Sequence, residues 1–248
     1  MEQLVIVLIA VFIVAVMYSS VGHGGASGYL AVMAFMSVAP EITRPTALVL
    51  NLFVASIGTY QFWRAGHFRW RTFWPFAATS IPFAFYGGIV QLPTHIYKIV
   101  LGVVLCLAAL RLAVKFASDD DDEKEPPVPV GLVIGAAIGL LSGMVGVGGG
   151  IFLTPVLMLA HWAETKTGAA VSVVFILVNS FAGLLGNYLM GKGTNIFQLP
   201  SGVWFWIIAA VCGGIVGSTL GAKKFDSITL RRVLAVVLLL AGVKLFFI

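Results

Sequence analysis

Charged residues are scarce in this chain, which has 15 Lys and Arg and 10 Asp and Glu among 248 residues. Hydrophobic residues make up 60% of the chain, and its mean hydropathy is +1.03. A soluble domain of this size needs far more polar surface than these charges provide. The composition therefore excludes an ordinary soluble protein and indicates one that is embedded in a membrane.

Cysteine and reactive side-chain clusters are nearly absent as well. Cys106 and Cys212 lie in apolar segments without Cys-x-x-Cys spacing, which favours packing roles over a disulfide or a metal pair. Paired intramembrane carboxylates, His-rich clusters and Ser/His/Asp sets are missing too. The sequence therefore predicts no catalytic residues, no metal site and no cofactor. The net charge of +5 comes from basic loops and indicates membrane orientation rather than nucleic-acid binding.

Long apolar runs dominate what is present. They are roughly 17 to 25 residues long, the length at which an α-helix spans lipid, and they predict an all-α polytopic membrane protein. One acidic, proline-containing stretch interrupts them at residues 118–128. It predicts a linker between a first transmembrane repeat at 1–117 and a second at 129–248.

The two halves repeat one another. The stretch "VGHGGASG" at residues 21–28 is matched by "VGVGGGIF" at residues 145–152, and Asn51 is matched by Asn179. Each half has an apolar segment, the glycine cluster, a short apolar piece and three full spans. The apolar segments are 4–20 and 129–144, the short pieces are 26–38 and 150–162, and the spans are about 45–63, 72–91, 96–116, 166–190, 201–221 and 229–248.

Basic residues alternate between equivalent loops of the two halves. Residues 64–71 hold three arginines against one lysine at 191–200, whereas 222–232 hold four basic residues against one at 91–98. This reversal predicts inverted repeats in the cell (inner or plasma) membrane, with the linker 118–128 in the cytoplasm. Each half then crosses an odd number of times, so its first two segments form a glycine-broken pair or a re-entrant hairpin. Eight simple spans with parallel halves are the alternative.

The glycine clusters are the candidate site for a small anion. Successive glycines weaken a helix, and the N-terminus of the helix that follows attracts negative charge. The alternative is that these glycines only permit close helix packing. The predicted substrate-binding residues are Gly22, His23, Gly24, Gly25, Ala26, Ser27, Asn51, Gly146, Gly148, Gly149, Gly150 and Asn179.

Five polar residues near the clusters have two interpretations each. Asn51 and Asn179 either line the substrate path or tie the broken segments to the next helix. Arg44 and Lys166 either form a vestibule that draws in anions or extend to the membrane interface. His23 either couples transport to protons or is a neutral imidazole bonded to freed backbone.

Residues 141–157, "LSGMVGVGGGIFLTPVL", resemble the signature of the TauE/SafE family of anion exporters, in which duplicated halves each begin near this motif. The resemblance implies a transporter of small sulfur-containing anions, with sulfite, sulfoacetate and other organosulfonates as candidate substrates. The expected partners are therefore a small anionic substrate and the lipid bilayer. An anion channel, or a transporter of another small carboxylate or oxyanion, is the alternative. The first half departs from the pattern, with His23 in place of Val147 and Ala31 in place of Pro155, so the particular substrate stays open.

Overall fold

The computed structural model describes residues 2–20, 23–113, 124–190, 203–223 and 228–246. Within these residues the secondary structure consists of ten helices, which confirms the predicted all-α class. Only the last part of the predicted linker lies inside the described ranges.

Five helices form each half, and a helix of 10 residues follows each glycine cluster. The first half contains α1 (Glu2–Ser20), α2 (Ala26–Phe35), α3 (Pro40–Arg64), α4 (Trp70–Ile89) and α5 (Thr94–Ala113). The second half contains α6 (Val128–Val145), α7 (Gly150–Leu159), α8 (Thr165–Met190), α9 (Val203–Lys223) and α10 (Ile228–Phe246).

Several of the described helices are suited to a bilayer, as expected for a multi-pass membrane protein. Four are long and apolar enough to cross it, namely Glu41–Arg64, Val128–Val145, Lys166–Leu189 and Val203–Leu220. The second of these is α6, which we predicted as half of a broken pair, although its 18 residues suffice for a crossing. Conversely, α4 was predicted as a full span but is not among the four, and it holds Pro75 and Pro82 inside the helix.

The same helix pairings occur twice in the bundle. Helix α6 packs along α4. Their equivalents in the other half, α1 and α9, pack along each other in the same way. Two further contacts join equivalent helices, α5 with α10 and α3 with α8. Helix α8 also packs against α4, and its counterpart α3 packs against α9. Among the four candidate spans, α3 and α8 are the most enclosed, because 67% of each is buried, compared with 39% of α6 and 44% of α9. The centre of the molecule is therefore the α3–α8 contact.

Glycines at every fourth position of α6 face α4. A Cβ atom at Gly139 would lie 2.3 Å from the carbonyl oxygen of Ser80, so the two backbones touch without intervening side chains. The counterpart pair is packed equally closely, since a Cβ atom at Gly217 of α9 would lie 2.2 Å from the carbonyl oxygen of Val16 in α1. The four glycines of α6 are Gly131, Gly135, Gly139 and Gly143.

The connections that follow the two short helices lie at opposite ends of α4. The connection from α2 leads into α3, whose Arg44 donates a hydrogen bond of 2.8 Å to the carbonyl oxygen of Val90, directly after α4. The connection from α7 contains Trp162, which lines a cavity together with Trp70 and Thr72 in the first turn of α4. Helices α2 and α7 therefore run toward opposite ends of the bundle.

We expect Gly139→Ala to lower the melting temperature of the purified protein. The added Cβ atom would force α6 away from Ser80, and overpacking of this kind costs about 1–3 kcal/mol. Gly168→Ala in α8 is the matched control, because its Cβ atom would lie 3.9 Å from the nearest atom, in Ala163. That control should be as stable as the parent or more stable, since alanine favours a helix. Equal melting temperatures for the two variants in detergent would contradict the close α4–α6 contact.

Candidate functional site

Both glycine clusters interrupt the helical backbone inside the protein. Gly25 precedes α2 with a φ of 92°, and Gly149 precedes α7 with a φ of 82°. These left-handed conformations favour glycine over any residue with a side chain. Neither helix start has a side-chain cap, and the first residues of both helices are buried. Each break therefore presents a buried helix N-terminus without a capping side chain.

Asn51 of α3 lies between the two breaks and is fully buried. Its Nδ2 atom donates to the carbonyl oxygen of Val147 at 3.2 Å and to the hydroxyl of Ser180 at 3.3 Å. The Oδ1 atom would lie 2.9 Å from a Cβ atom at Gly24, and Nδ2 would lie 2.8 Å from one at Gly148. One carboxamide thus contacts the first break, the second break and α8.

The orientation of this carboxamide is fixed by the Val147 carbonyl, which can only accept a hydrogen bond. The Asn51 Oδ1 atom therefore faces Gly24, and it has no hydrogen-bond partner among the described residues. Ile176 of α8 closes the same space, because its Cγ2 atom would lie 3.0 Å from a Cβ atom at Gly24 and 2.9 Å from one at Gly148. Neither position has room for a side chain.

His23 is buried in the first break and joins the two halves. Its Nε2 atom lies 3.2 Å from the hydroxyl of Thr154 in α7. That hydroxyl is also 2.7 Å from the hydroxyl of Ser172 in α8 and 3.0 Å from the carbonyl oxygen of Gly150. The backbone N–H of His23 donates to the carbonyl oxygen of Tyr18 at 2.9 Å. A change of charge on His23 would thus act directly on the start of α7.

Tyr29 adds a polar group to the first break. Its side chain is 1% exposed, and its hydroxyl would lie 2.8 Å from a Cβ atom at Gly25. The hydroxyl has no hydrogen-bond partner in the described part of the chain. The equivalent position in the second half is Leu153, and Ser27 of the first break is likewise replaced by Ile151. Positions 27 and 29 of the first half therefore carry hydroxyl groups where the second half has apolar side chains.

One predicted site residue, Asn179, is not brought to a glycine break by the contacts of the described residues. Asn179 is fully buried, and its Oδ1 atom accepts a hydrogen bond of 2.9 Å from Ser80 in α4. Its Nδ2 atom has no partner among the residues described. Gly22 lies outside the described residues. Asn51, but not Asn179, is thus the asparagine that contacts both breaks.

The two predicted vestibule cations lie in different surroundings. Lys166 is exposed at the start of α8, whereas Arg44 is 6% exposed. The Arg44 guanidinium donates to the carbonyl oxygens of Val90 at 2.8 Å and Gly87 at 2.9 Å, and also to that of Gly88. A cation at this position stabilises the C-terminal end of α4. The vestibule role of both residues stays a prediction.

Three polar residues of the site were missed in the sequence. Ser172 and Ser180 lie eight residues apart on one face of α8, each four residues from Ile176, and this helical spacing is a signal that could have found them. Tyr29 lies one helical turn after Gly25, at the distance from which a side chain reaches back toward the start of its own helix.

The chain matches known proteins along most of its length. Residues 7–245 match the family model described as sulfite exporter TauE/SafE. "Probable membrane transporter protein y4hK" of Sinorhizobium fredii (strain NBRC 101917 / NGR234) is 39% identical over 241 residues, which are 96% of each chain. "Probable membrane transporter protein YunE" of Bacillus subtilis (strain 168) is 24% identical over 236 residues, covering 86% of this chain and 83% of the relative. No solved structure matches the chain.

The relatives that match are named as membrane transporters and not as enzymes. The family match extends well beyond residues 141–157, which carried the resemblance in the sequence, and it includes all but the outermost turns of the helical bundle. The resemblance is thereby confirmed, and the chain belongs to the TauE/SafE family of membrane transporters.

Proposed function

We propose that this transporter carries a small sulfur-containing oxyanion across the cell membrane, with sulfite, sulfoacetate and related organosulfonates as the candidates. The observation that carries the proposal is the meeting of two buried, uncapped helix N-termini around Asn51. The family model is described as a sulfite exporter, which supports a sulfur oxyanion as the substrate class.

Helix N-termini bind an anion through partial charges. Each carries the equivalent of about half a positive charge, together with backbone N–H donors that have no intrahelical partner. Helices α2 and α7 both begin this way inside the bundle, at Gly25 and Gly149. Binding by dipoles suits transport, because the anion leaves the site without the separation of a buried ion pair.

The substrate binds at the first break, where two polar groups have no counterpart in the second half. The Tyr29 hydroxyl and His23 offer hydrogen bonds near the start of α2, whereas Leu153 and Val147 hold the equivalent positions in the second half. An oxyanion head needs donors, and a short carbon chain needs apolar contacts.

Inverted repeats give such a site access to both sides of the membrane in turn. Two observations support the inversion. Helices α2 and α7 run toward opposite ends of α4, and the α6–α4 pairing recurs as α1 with α9. Arginines cluster at the end of the bundle where α4 begins, and this excess of positive charge supports a cytoplasmic location for that end and for the linker 118–128, with the chain in the inner or plasma membrane.

His23 couples transport to protons in this proposal. A protonated imidazole beside the start of α2 attracts the anion, and loss of the proton weakens its binding. The contact between His23 and Thr154 of α7 supports this role, because it lies between elements of the two halves that have to separate when the site opens.

Tyr29→Phe is expected to weaken sulfoacetate binding by roughly tenfold to a hundredfold, because a hydrogen bond to a charged group contributes about 1.5–3 kcal/mol. The substitution keeps the ring and removes only the hydroxyl. Tyr60→Phe is the control, since Tyr60 is 65% exposed on α3. Isothermal titration of the purified variants with sulfoacetate and with sulfite measures the effect. An unchanged dissociation constant for Tyr29→Phe would remove the first break as the binding site.

His23→Gln is expected to abolish the pH dependence of sulfoacetate flux into proteoliposomes between about pH 5.5 and 8. The charge of sulfoacetate is constant over this range, so a change in flux reports on the protein. In the parent, flux falls as the pH rises, since the imidazole loses the proton that attracts the anion. His67→Gln, in the connection before α4, is the control. Retention of the parent's pH profile by His23→Gln would exclude the coupling role.

A further inference from the structure

A cavity of about 340 Å³ lies at the end of the bundle where α4 ends. Its lining comes from the connection between α2 and α3, from the starts of α3 and α5, and from the end of α10. Thr43 in its wall directly precedes Arg44, whose guanidinium binds the last carbonyl groups of α4. Sites for small ligands have volumes of about 300–1,000 Å³, so the cavity is large enough for a small organic anion.

The inner wall of this cavity reaches the second glycine break. Tyr97 of α5 lines the cavity and is 5% exposed. Its hydroxyl donates a hydrogen bond of 3.3 Å to the carbonyl oxygen of Val145, the last residue of α6. Gly146 follows with a φ of 89°, and a Cβ atom there would lie 3.0 Å from the carbonyl oxygen of Arg44. Tyr97 and the backbone of Arg44 therefore lie between the cavity and the second break.

Further contacts connect this point with the proposed anion site. Two residues after Val145, the carbonyl oxygen of Val147 accepts a hydrogen bond of 3.2 Å from Asn51. The Oδ1 atom of the same carboxamide faces Gly24 of the first break. Helix α5 also touches α7, the short helix that follows the second break. A series of contacts thus leads from the cavity through the second break to the first.

Two charged side chains of opposite sign line the cavity in the described part of the chain, those of Glu41 and Lys98. Glu41 lies in the first turn of α3, whereas the first turn of α5, which precedes Lys98, holds no acidic residue. Two further cations adjoin the lining, and both donate to backbone carbonyl groups. They are Arg44 at the end of α4 and Lys244, whose ammonium lies 2.8 Å from the carbonyl oxygen of Phe35. The position of the cavity, rather than an excess of positive charge, therefore relates it to transport.

We propose that this cavity is the vestibule through which the transported oxyanion reaches the second break, and that Tyr97 is the barrier that closes it in this structure. The inference rests on the proposed function. Lys98 and the positive end of the α5 dipole attract the anion, whereas Glu41 repels it. Of the cations predicted or observed near this end, Lys98 lines the cavity and Arg44 and Lys166 do not. Movement of the Tyr97 ring away from α6 opens the vestibule toward the break.

The first test places one cysteine in the vestibule and one beside it. Thr94→Cys puts a thiol in the lining, whereas His95→Cys puts one at the next position of α5, which is exposed and does not line the cavity. Both are made in the full chain with Cys106→Ala and Cys212→Ala, and each is labelled with the anionic reagent methanethiosulfonate ethylsulfonate before reconstitution. Labelling should remove most of the sulfoacetate flux of Thr94→Cys, because it adds bulk and negative charge to the vestibule. It should leave the flux of His95→Cys unchanged, and mass spectrometry confirms that both thiols have reacted.

The second test changes the two charges of the lining in opposite directions. Lys98→Gln should raise the KM for sulfoacetate about two- to fivefold, and Glu41→Gln should lower it by a similar factor, the scale of exposed ion pairs. Maximal flux should not change, since both residues act before the anion reaches the breaks. Both effects should diminish at high salt, and Lys98→Arg should keep the KM of the parent. Unchanged thermal unfolding of each variant shows that its fold is intact.

Three results would overturn the vestibule. The first is undiminished flux in labelled Thr94→Cys, and the second is an equal loss of flux in labelled His95→Cys. The third is a KM that shifts in the same direction in Lys98→Gln and Glu41→Gln. The proposed function fails separately, if the unlabelled parent carries neither sulfoacetate nor sulfite into proteoliposomes.

Discussion

Backbone groups at the two glycine breaks are the constraint on which the remaining structure depends. Lipid does not tolerate unpaired N–H and C=O groups, so both breaks have to be enclosed by protein. The most buried of the four candidate spans, α3 and α8, provide that enclosure. Asn51 holds the carbonyl oxygen of Val147, and Ile176 packs against both breaks. Within this enclosure the starts of α2 and α7 have no side-chain cap.

The outer helix pairs pack closely on either side of the central α3–α8 contact. Glycines bring α6 onto α4 and α9 onto α1 with backbone contact, so each of these pairs joins one half of the chain to the other. The halves are therefore interlocked around α3 and α8.

The sequence alone predicted the helix breaks and Asn51 as one of their partners. It did not predict that Asn51 and Asn179 have different contacts. A duplicated glycine run in an apolar chain indicates an enclosed break, and an amide in an apolar span has to find partners, as Asn51 does. Asn179 was predicted as its equivalent, yet its partner is Ser80, on a helix that is remote in sequence. The burial of Arg44 likewise depends on carbonyl groups at the end of α4. Contacts of this kind follow from tertiary packing and leave no local pattern.

Duplication also conceals a difference between the two breaks. The repeats preserve the glycines and one asparagine each, whereas Tyr29 has an apolar equivalent in the second half. The most direct measurement is anomalous diffraction from crystals soaked with selenite, an analogue of sulfite. The account predicts a selenium peak about 3 Å from the Tyr29 hydroxyl and the first backbone N–H groups of α2. A selenium peak confined to another part of the molecule, or none near α2 at saturating selenite, would contradict it.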